Sequence, residues 1–113
     1  MYSNNLVCDI INYINQNIKN KIVIKDIADN FYFNRFYIMK LFKKELGISI
    51  NEYINKKRIY DSLTQIKNTN DSFLTVALDN GFNSLEYFSE SFKNVIGTSP
   101  RTYKKFTYFI IKT

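Results

Sequence analysis

Histidine is absent from this 113-residue chain, and so is tryptophan. Without histidine, Ser-His-Asp, Cys-His and histidine-ligated metal chemistry are excluded within the chain. The single cysteine, Cys8, has no partner for an internal disulfide or a multi-cysteine zinc site. It reads as a small apolar residue in a helix and fits a reducing compartment. Three glycines and one proline are too few turn formers for a β sandwich or barrel. No apolar run approaches the ~18 residues that a bilayer-spanning helix needs. The first residues, Met-Tyr-Ser-Asn-Asn, show no basic region leading into an apolar stretch, so no signal peptide, no membrane and a cytoplasmic, nucleoid-associated location are expected.

What is present points elsewhere. Hydrophobic residues make up 45%, enough for a buried core, and ten Phe with nine Tyr bring the aromatic share to 17%. Sixteen basic against ten acidic residues give +6 and a pI near 9.4, a balance that suits a polyanionic partner. The length allows one compact domain or two very small ones.

Apolar residues at three- and four-residue spacing (Leu6, Val7, Ile10, Ile11, Ile14, Ile18) describe one helix face, ended by polar residues around 19–21. A short second helix opens at Ile24 and turns Ile27, Ala28 and Phe31 inward. Asn34 is a suitable N-cap for a third helix, with Tyr37, Ile38, Leu41 and Phe42 inward and Gly47 as its stop. Ser49, with Glu52 at the capping-box position, opens a long fourth helix to about Lys67, ~27 Å at 1.5 Å per residue. Asp71 or Ser72 caps a fifth helix, Asn80-Gly81 turns the chain, and Asn83 or Ser84 opens a sixth. The sixth buries Phe88, Phe92 and either Leu85 or Tyr87, and stops at Gly97. Ser99-Pro100 starts a short seventh helix through Tyr103, followed by an apolar tail from Phe106 to Ile111. The expected fold is all-α with seven helices.

The chain repeats itself. Phe42-Lys43-Lys44-Glu45-Leu46-Gly47-Ile48-Ser49 returns as Phe92-Lys93-Asn94-Val95-Ile96-Gly97-Thr98-Ser99, at an offset of 50 residues. Upstream, Ile27-Ala28 matches Val76-Ala77 at 49, so the second turn is one residue longer. Each unit reads as short helix, tight turn, longer helix, glycine stop: a helix-turn-helix. Ala28 and Ala77 stand where two helices cross closely. Two copies are too few for a solenoid.

These residues resemble the AraC-family DNA-binding domain of bacterial transcription regulators, from about Leu6 to Lys105. The second half carries Val76-Ala77, Gly81-Phe82, Tyr87-Phe88-Ser89, Phe92-Lys93, Gly97-Thr98-Ser99-Pro100 and Tyr103. The first half supplies Ile27-Ala28, Asn34, Tyr37-Ile38, Leu41-Phe42-Lys43, Gly47, Tyr53 and Arg58. The resemblance implies two helix-turn-helix units, each offering a recognition helix to the DNA major groove, joined by one long helix. The expected division is a first unit over 1–48, a linking helix over 49–67, a second unit over 68–107 and a tail over 108–113.

The third helix leaves Arg35, Phe36, Met39, Lys40 and Lys43 on its outer face, and segment 34–45 carries four basic residues and one acidic, a net +3. Lysine and arginine donate to guanine O6 and N7, and apolar side chains meet thymine methyls. By the resemblance, Phe36, Met39 and Lys40 occupy base-contacting positions; Arg35 and Lys43 suit phosphates, and Asn34 opens the helix beside them. The sixth helix, over 83–96, is net −1 and presents Leu85, Glu86, Ser89, Glu90 and Lys93 beyond its cap Ser84. The resembled family usually has a basic residue where Glu90 stands. Glu86 or Glu90 would accept from cytosine N4; the alternatives are a unit that touches DNA weakly or one that faces a protein. Glu86 and Glu90 have no further ligands for a metal site, and no catalytic constellation or cofactor motif exists. Arg101 sits at the start of the seventh helix, whose backbone N–H groups suit a phosphate. Lys56, Lys57, Arg58, Lys104 and Lys105 add basic charge, with Arg58 read as structural.

The expected function is sequence-specific binding of double-stranded DNA by a transcription regulator, dominated by the first unit. The first-helix text Ile10-Ile11-Asn12-Tyr13-Ile14 looks like output domains of AraC-type two-component response regulators. The expectation is therefore a monomeric carboxy-terminal domain of a larger protein with a sensor or receiver domain, working with RNA polymerase; the alternative is a complete single-domain activator. A competing function is a protein-interaction module on a DNA-binding fold, using the apolar tail and the acidic sixth helix. RNA binding is disfavoured, since the aromatics do not lie on a sheet platform.

Overall fold

A computed structural model describes residues 2–112, with side-chain surroundings for residues 5–109. Seven helices and no strand occur among them: α1 (Tyr2–Gln16), α2 (Ile24–Asn30), α3 (Arg35–Leu46), α4 (Ile50–Asn68), α5 (Phe73–Asp79), α6 (Leu85–Ile96) and α7 (Pro100–Lys112). The chain divides into two compact units, residues 1–54 and 55–113, with the division inside α4.

The duplication in the sequence is a duplication of structure. α2 and α5 are both seven residues long and start 49 residues apart; α3 and α6 are both twelve and start 50 apart. The same start signals recur. Asn34 Oδ1 accepts from Phe36 N at 2.8 Å, and Ser84 Oγ from Tyr87 N at 3.1 Å. Ser49 Oγ accepts from Glu52 N, and Ser99 Oγ from Thr102 N, each at 3.1 Å. Such caps satisfy a backbone N–H that the helix leaves orphaned. Of the paired candidates, Ser72 caps α5, accepting from Thr75 N, and Ser84 caps α6. Gly47 and Gly97 end α3 and α6 in the left-handed region, at φ 78° and 98°.

In unit 1, Ile10 and Ile14 of α1, Ile27 and Ala28 of α2, and Ile38 and Phe42 of α3 close one core. In unit 2, Ile59 and Ile66 of α4 pack with Val76, Ala77, Phe88 and Phe92. The two cores share a motif: Tyr53 meets Phe42 edge-on at 5.7 Å between ring centroids, and Tyr103 meets Phe92 at 5.6 Å. Both alanines are buried, letting the two helices of each motif approach.

The two turns close alike but are built from different residues. Phe33 N donates to Ala28 O at 2.9 Å, and Phe82 N to Ala77 O at 3.0 Å. The residue before each phenylalanine has positive φ: Gly81 at 89°, but Tyr32 at 61°. A tyrosine there carries a Cβ clash worth roughly 1–2 kcal/mol, and with 95% of its surface exposed it gains little packing in return. Tyr32→Gly is expected to stabilise unit 1 by about 0.5–1 kcal/mol after the larger unfolded-state entropy of glycine. A urea midpoint that stays put or falls would show that the Tyr32 ring contributes more than the strain it imposes. In unit 2 the turn is also tied to α4: Asn80 Nδ2 donates to Val76 O and to Gln65 Oε1, while Gln65 Nε2 donates to Asp71 and Asp79.

Several sequence expectations need correction. α1 ends at Gln16, and Ile18 is buried from the turn that follows. Cys8 lies on α1 as expected but is exposed. Tyr37 does not point inward: it is 48% exposed and stacks on Phe33 at 5.3 Å. Ile38, Leu41 and Phe42 take the seam, and a neighbour ~100° round the helix falls off it. Neither Leu85 nor Tyr87 is buried; Ser91 is the additional inward residue of α6. Phe31 is only half-buried. The short seventh helix and the apolar tail are one helix, α7, running to Lys112, on which Phe106, Tyr108 and Phe109 are exposed. Ile110 and Ile111 of the expected tail lie outside the residues whose side chains are described.

Candidate nucleic-acid interface

Because Ile38, Leu41 and Phe42 hold α3 to its core, the opposite face is fixed outward. Arg35, Phe36, Met39, Lys40 and Lys43 are all exposed there, as the sequence predicts. Phe36 is 62% exposed and Met39 41%, an apolar pair that pure solubility does not require. The Arg35 guanidinium lies 5.0 Å from the Phe36 ring centroid, so cation–π attraction draws the charge toward the ring. Asn34 is committed through its side-chain oxygen to the cap of α3, and its side chain is exposed.

The 50-residue offset allows a position-by-position comparison with α6. Leu85 replaces Arg35, Glu86 replaces Phe36, Ser89 replaces Met39, Glu90 replaces Lys40, and Lys93 matches Lys43. Leu85, Glu86, Glu90 and Lys93 are exposed; Ser89 is half-buried, and so is Ser84, whose oxygen caps the helix. The second helix thus offers the same surface in the same register with the charge reversed at the Lys40 position. Glu86 and Glu90 make this exposed face acidic.

The remaining basic residues sort by their partners. Arg101 is exposed on the first turn of α7, beside the cap made by Ser99. Lys104 is not a free cation: its Nζ donates to Ile66 O at 3.1 Å and Thr69 O at 2.7 Å, closing the carbonyl end of α4. Lys57 pairs with Asp61 at 2.7 Å. Arg58 is half-buried, and burial lowers its pKa from the ordinary guanidinium value while Tyr87 opposes the shift. That environment agrees with the structural reading of Arg58. Among the described residues no group of three or more His, Cys, Asp or Glu side chains could hold a metal ion, and no helix is long and apolar enough to cross a membrane.

One feature escaped the sequence. Between α3 and the first turn of α4 lies a groove of about 590 Å³, lined by Ile24, Phe36, Met39, Ile50, Ser49 and Asn51, with Lys40, Lys43 and Lys44 around it. It depends on residues 24 and 50–51 meeting α3 in space, which no local pattern announces.

Two copies of short helix, tight turn and exposed longer helix define a double helix-turn-helix protein. A family model described as a helix-turn-helix domain matches residues 27–105. The chain belongs to the AraC-type helix-turn-helix family of DNA-binding transcription regulators. It is 27% identical over 103 residues to the HTH-type transcriptional activator AarP of Providencia stuartii, spanning 91% of this chain and 76% of AarP. It is 29% identical over 99 residues to the melibiose operon regulatory protein of Escherichia coli, spanning 88% of this chain but 33% of that protein. Among solved structures, the C-terminal domain of AraT, a response regulator from Geobacillus stearothermophilus, superposes with a TM-score of 0.84 at 25% identity, covering 88% of this chain and 84% of that one.

Proposed function

We propose that α3 enters the DNA major groove and carries the sequence reading, with Lys40 on a guanine edge and Phe36 and Met39 against thymine methyls. Arg35, Lys43 and the Asn34 amide then take phosphates on either side. The observation that supports this most is the contrast between the two exposed helices: basic and apolar on α3, acidic at Glu86 and Glu90 on α6. α6 is the weaker reader, with Ser84, Ser89 and Lys93 left for phosphates and Leu85 for an apolar edge. Arg101, at the capped start of α7, adds a phosphate contact.

The affinity then rests on phosphates near the first unit. If about five are neutralised, the slope of log K against log salt is near −4 to −5. Titration of a random duplex at several salt concentrations measures it; a flat response would contradict the reading. Glu90→Arg is expected to strengthen non-specific binding and steepen that slope by about one unit. Unchanged affinity and slope would put α6 off the duplex.

In the cell this unit is read as the output domain of a longer regulator, monomeric in isolation and working in the cytoplasm on nucleoid DNA. A sensor or receiver domain supplies the signal and RNA polymerase receives the output. The fit to a response-regulator C-terminal domain and the third-length match to a sugar-operon regulator support that context. A second reading, a protein-docking module, draws on the exposed aromatics of α7, Phe106, Tyr108 and Phe109. Absence of duplex binding at low salt would favour it.

A further inference from the structure

The groove beside α3 extends past the face assigned to DNA: Ile24, Lys44, Ile50 and Asn51 line it and take no part in the base and phosphate contacts proposed above. Its floor is apolar, made by Ile24 of α2, Phe36 and Met39 of α3, and Ile50 of α4. Its rim carries Lys40, Lys43 and Lys44, none of which has an ion-pair partner among the described residues. A neutral apolar molecule would cover the floor and leave three lysines unanswered. At about 590 Å³ the groove lies within the ~300–1,000 Å³ of small-molecule sites.

Unit 2 supplies an internal control. The residues of α6 that match Phe36, Met39 and Lys40 are Glu86, Ser89 and Glu90, and Lys44 is matched by Asn94. The substitutions remove two of the four floor side chains and two of the three rim lysines, while Phe73, Pro100 and Lys93 keep the character of Ile24, Ile50 and Lys43, so the groove beside α3 differs from its counterpart at Phe36, Met39, Lys40 and Lys44.

We propose that this groove binds a small amphipathic organic anion, one with an apolar body and a single carboxylate, sulfonate or sulfate, and that such an anion excludes DNA from α3. The body lies on Phe36, Met39 and Ile24, with the buried Ile50 closing the floor beneath, and the charged head meets the lysines. Bound there, the ligand covers Phe36, Met39 and Lys40 at once. The site itself stands on the groove; its regulatory consequence rests on the reading of α3 as the DNA-facing helix.

The probe is 8-anilinonaphthalene-1-sulfonate, with N-phenyl-1-naphthylamine as a body of similar shape without the charge. The sulfonate is expected to bind the folded chain with one-to-one stoichiometry and at least about fivefold more tightly than the neutral compound. Backbone amide shifts should centre on Ile24, Lys44, Ile50 and Asn51. Lys44→Gln should weaken the sulfonate about two- to fivefold and leave the neutral compound unchanged. Asn51→Trp, which fills the groove from an exposed position on α4, should abolish binding of both. At ten times its own dissociation constant and fixed ionic strength, the sulfonate should raise the apparent Kd for a random duplex about tenfold. Absence of sulfonate binding, equal binding of the neutral compound, or shifts centred on Phe73 and Tyr108 would overturn the site. Binding at the groove with duplex affinity unchanged would overturn the regulatory half and, separately, the placement of α3 against DNA.

Discussion

Phe92→Ala is expected to cost about 3–5 kcal/mol, the largest stability loss predicted for this chain. Phe92 is fully buried in unit 2, meeting Phe88 at 5.7 Å and Tyr103 at 5.6 Å between ring centroids. Truncation removes both aromatic contacts together with the apolar area that the ring covers, and leaves a cavity that neighbouring helices fill only in part. Small domains hold only about 5–15 kcal/mol in total, so the variant should lose much of its cooperative unfolding transition at room temperature. Urea unfolding followed by far-UV circular dichroism reads this directly. Phe92→Leu, which keeps most of the apolar volume, should cost markedly less. Equal losses in the two variants would mean that the ring contacts, and not the volume, hold the core of unit 2.

The second large effect concerns recognition. Lys40→Ala is expected to weaken binding to a selected DNA site by about 1–3 kcal/mol, while random duplex loses less. The difference between the two losses is the informative quantity. A base reader loses discrimination at its own base pair, whereas a phosphate contact weakens every sequence alike and reduces the salt slope by about one. Lys40 stands in the register where α6 has Glu90, on an exposed face beside Phe36 and Met39. Sites selected from a random pool should therefore show relaxed preference at one base pair in the variant. Retained preference at every position would move Lys40 to the backbone. Because Lys40 is exposed and has no ion-pair partner among the described residues, its removal should not move the unfolding midpoint.

Helix starts and stops were the most legible part of the sequence. Asn34, Ser49, Ser72, Ser84 and Ser99 each provide an oxygen one residue before a helix, and Gly47 and Gly97 permit the positive φ that ends one. These signals are local, so a single chain reveals them. The seventh helix outruns its sequence signals for the same reason in reverse. Nothing between Tyr103 and Lys112 breaks a helix, but the aromatic run there carries no helical spacing that separates it from an apolar tail. At Tyr37 and Ile38 adjacent apolar residues compete for one seam, and only the packed structure decides that Ile38 takes it.

The site was legible as a face and not as a cavity. Arg35, Phe36, Met39, Lys40 and Lys43 follow from helical phase once the core residues of α3 are known. Lys44 and Asn51 gain their importance from the approach of α2 and α4 to α3, which is tertiary information. Lys104 shows the opposite failure. Counted as basic charge, it is spent on the carbonyls of Ile66 and Thr69. The strained turn at Tyr32 was open to inference, since the 49-residue offset aligns it with Gly81, and the same backbone then demands positive φ of a tyrosine.

The most direct measurement is nuclear Overhauser contact between protein and DNA in a complex with a selected duplex. The account predicts cross-peaks from the Met39 methyl and the Phe36 ring to thymine methyl protons in the major groove. Cross-peaks to DNA from α6 alone, with the Met39 and Phe36 signals unchanged from the free protein, would contradict it.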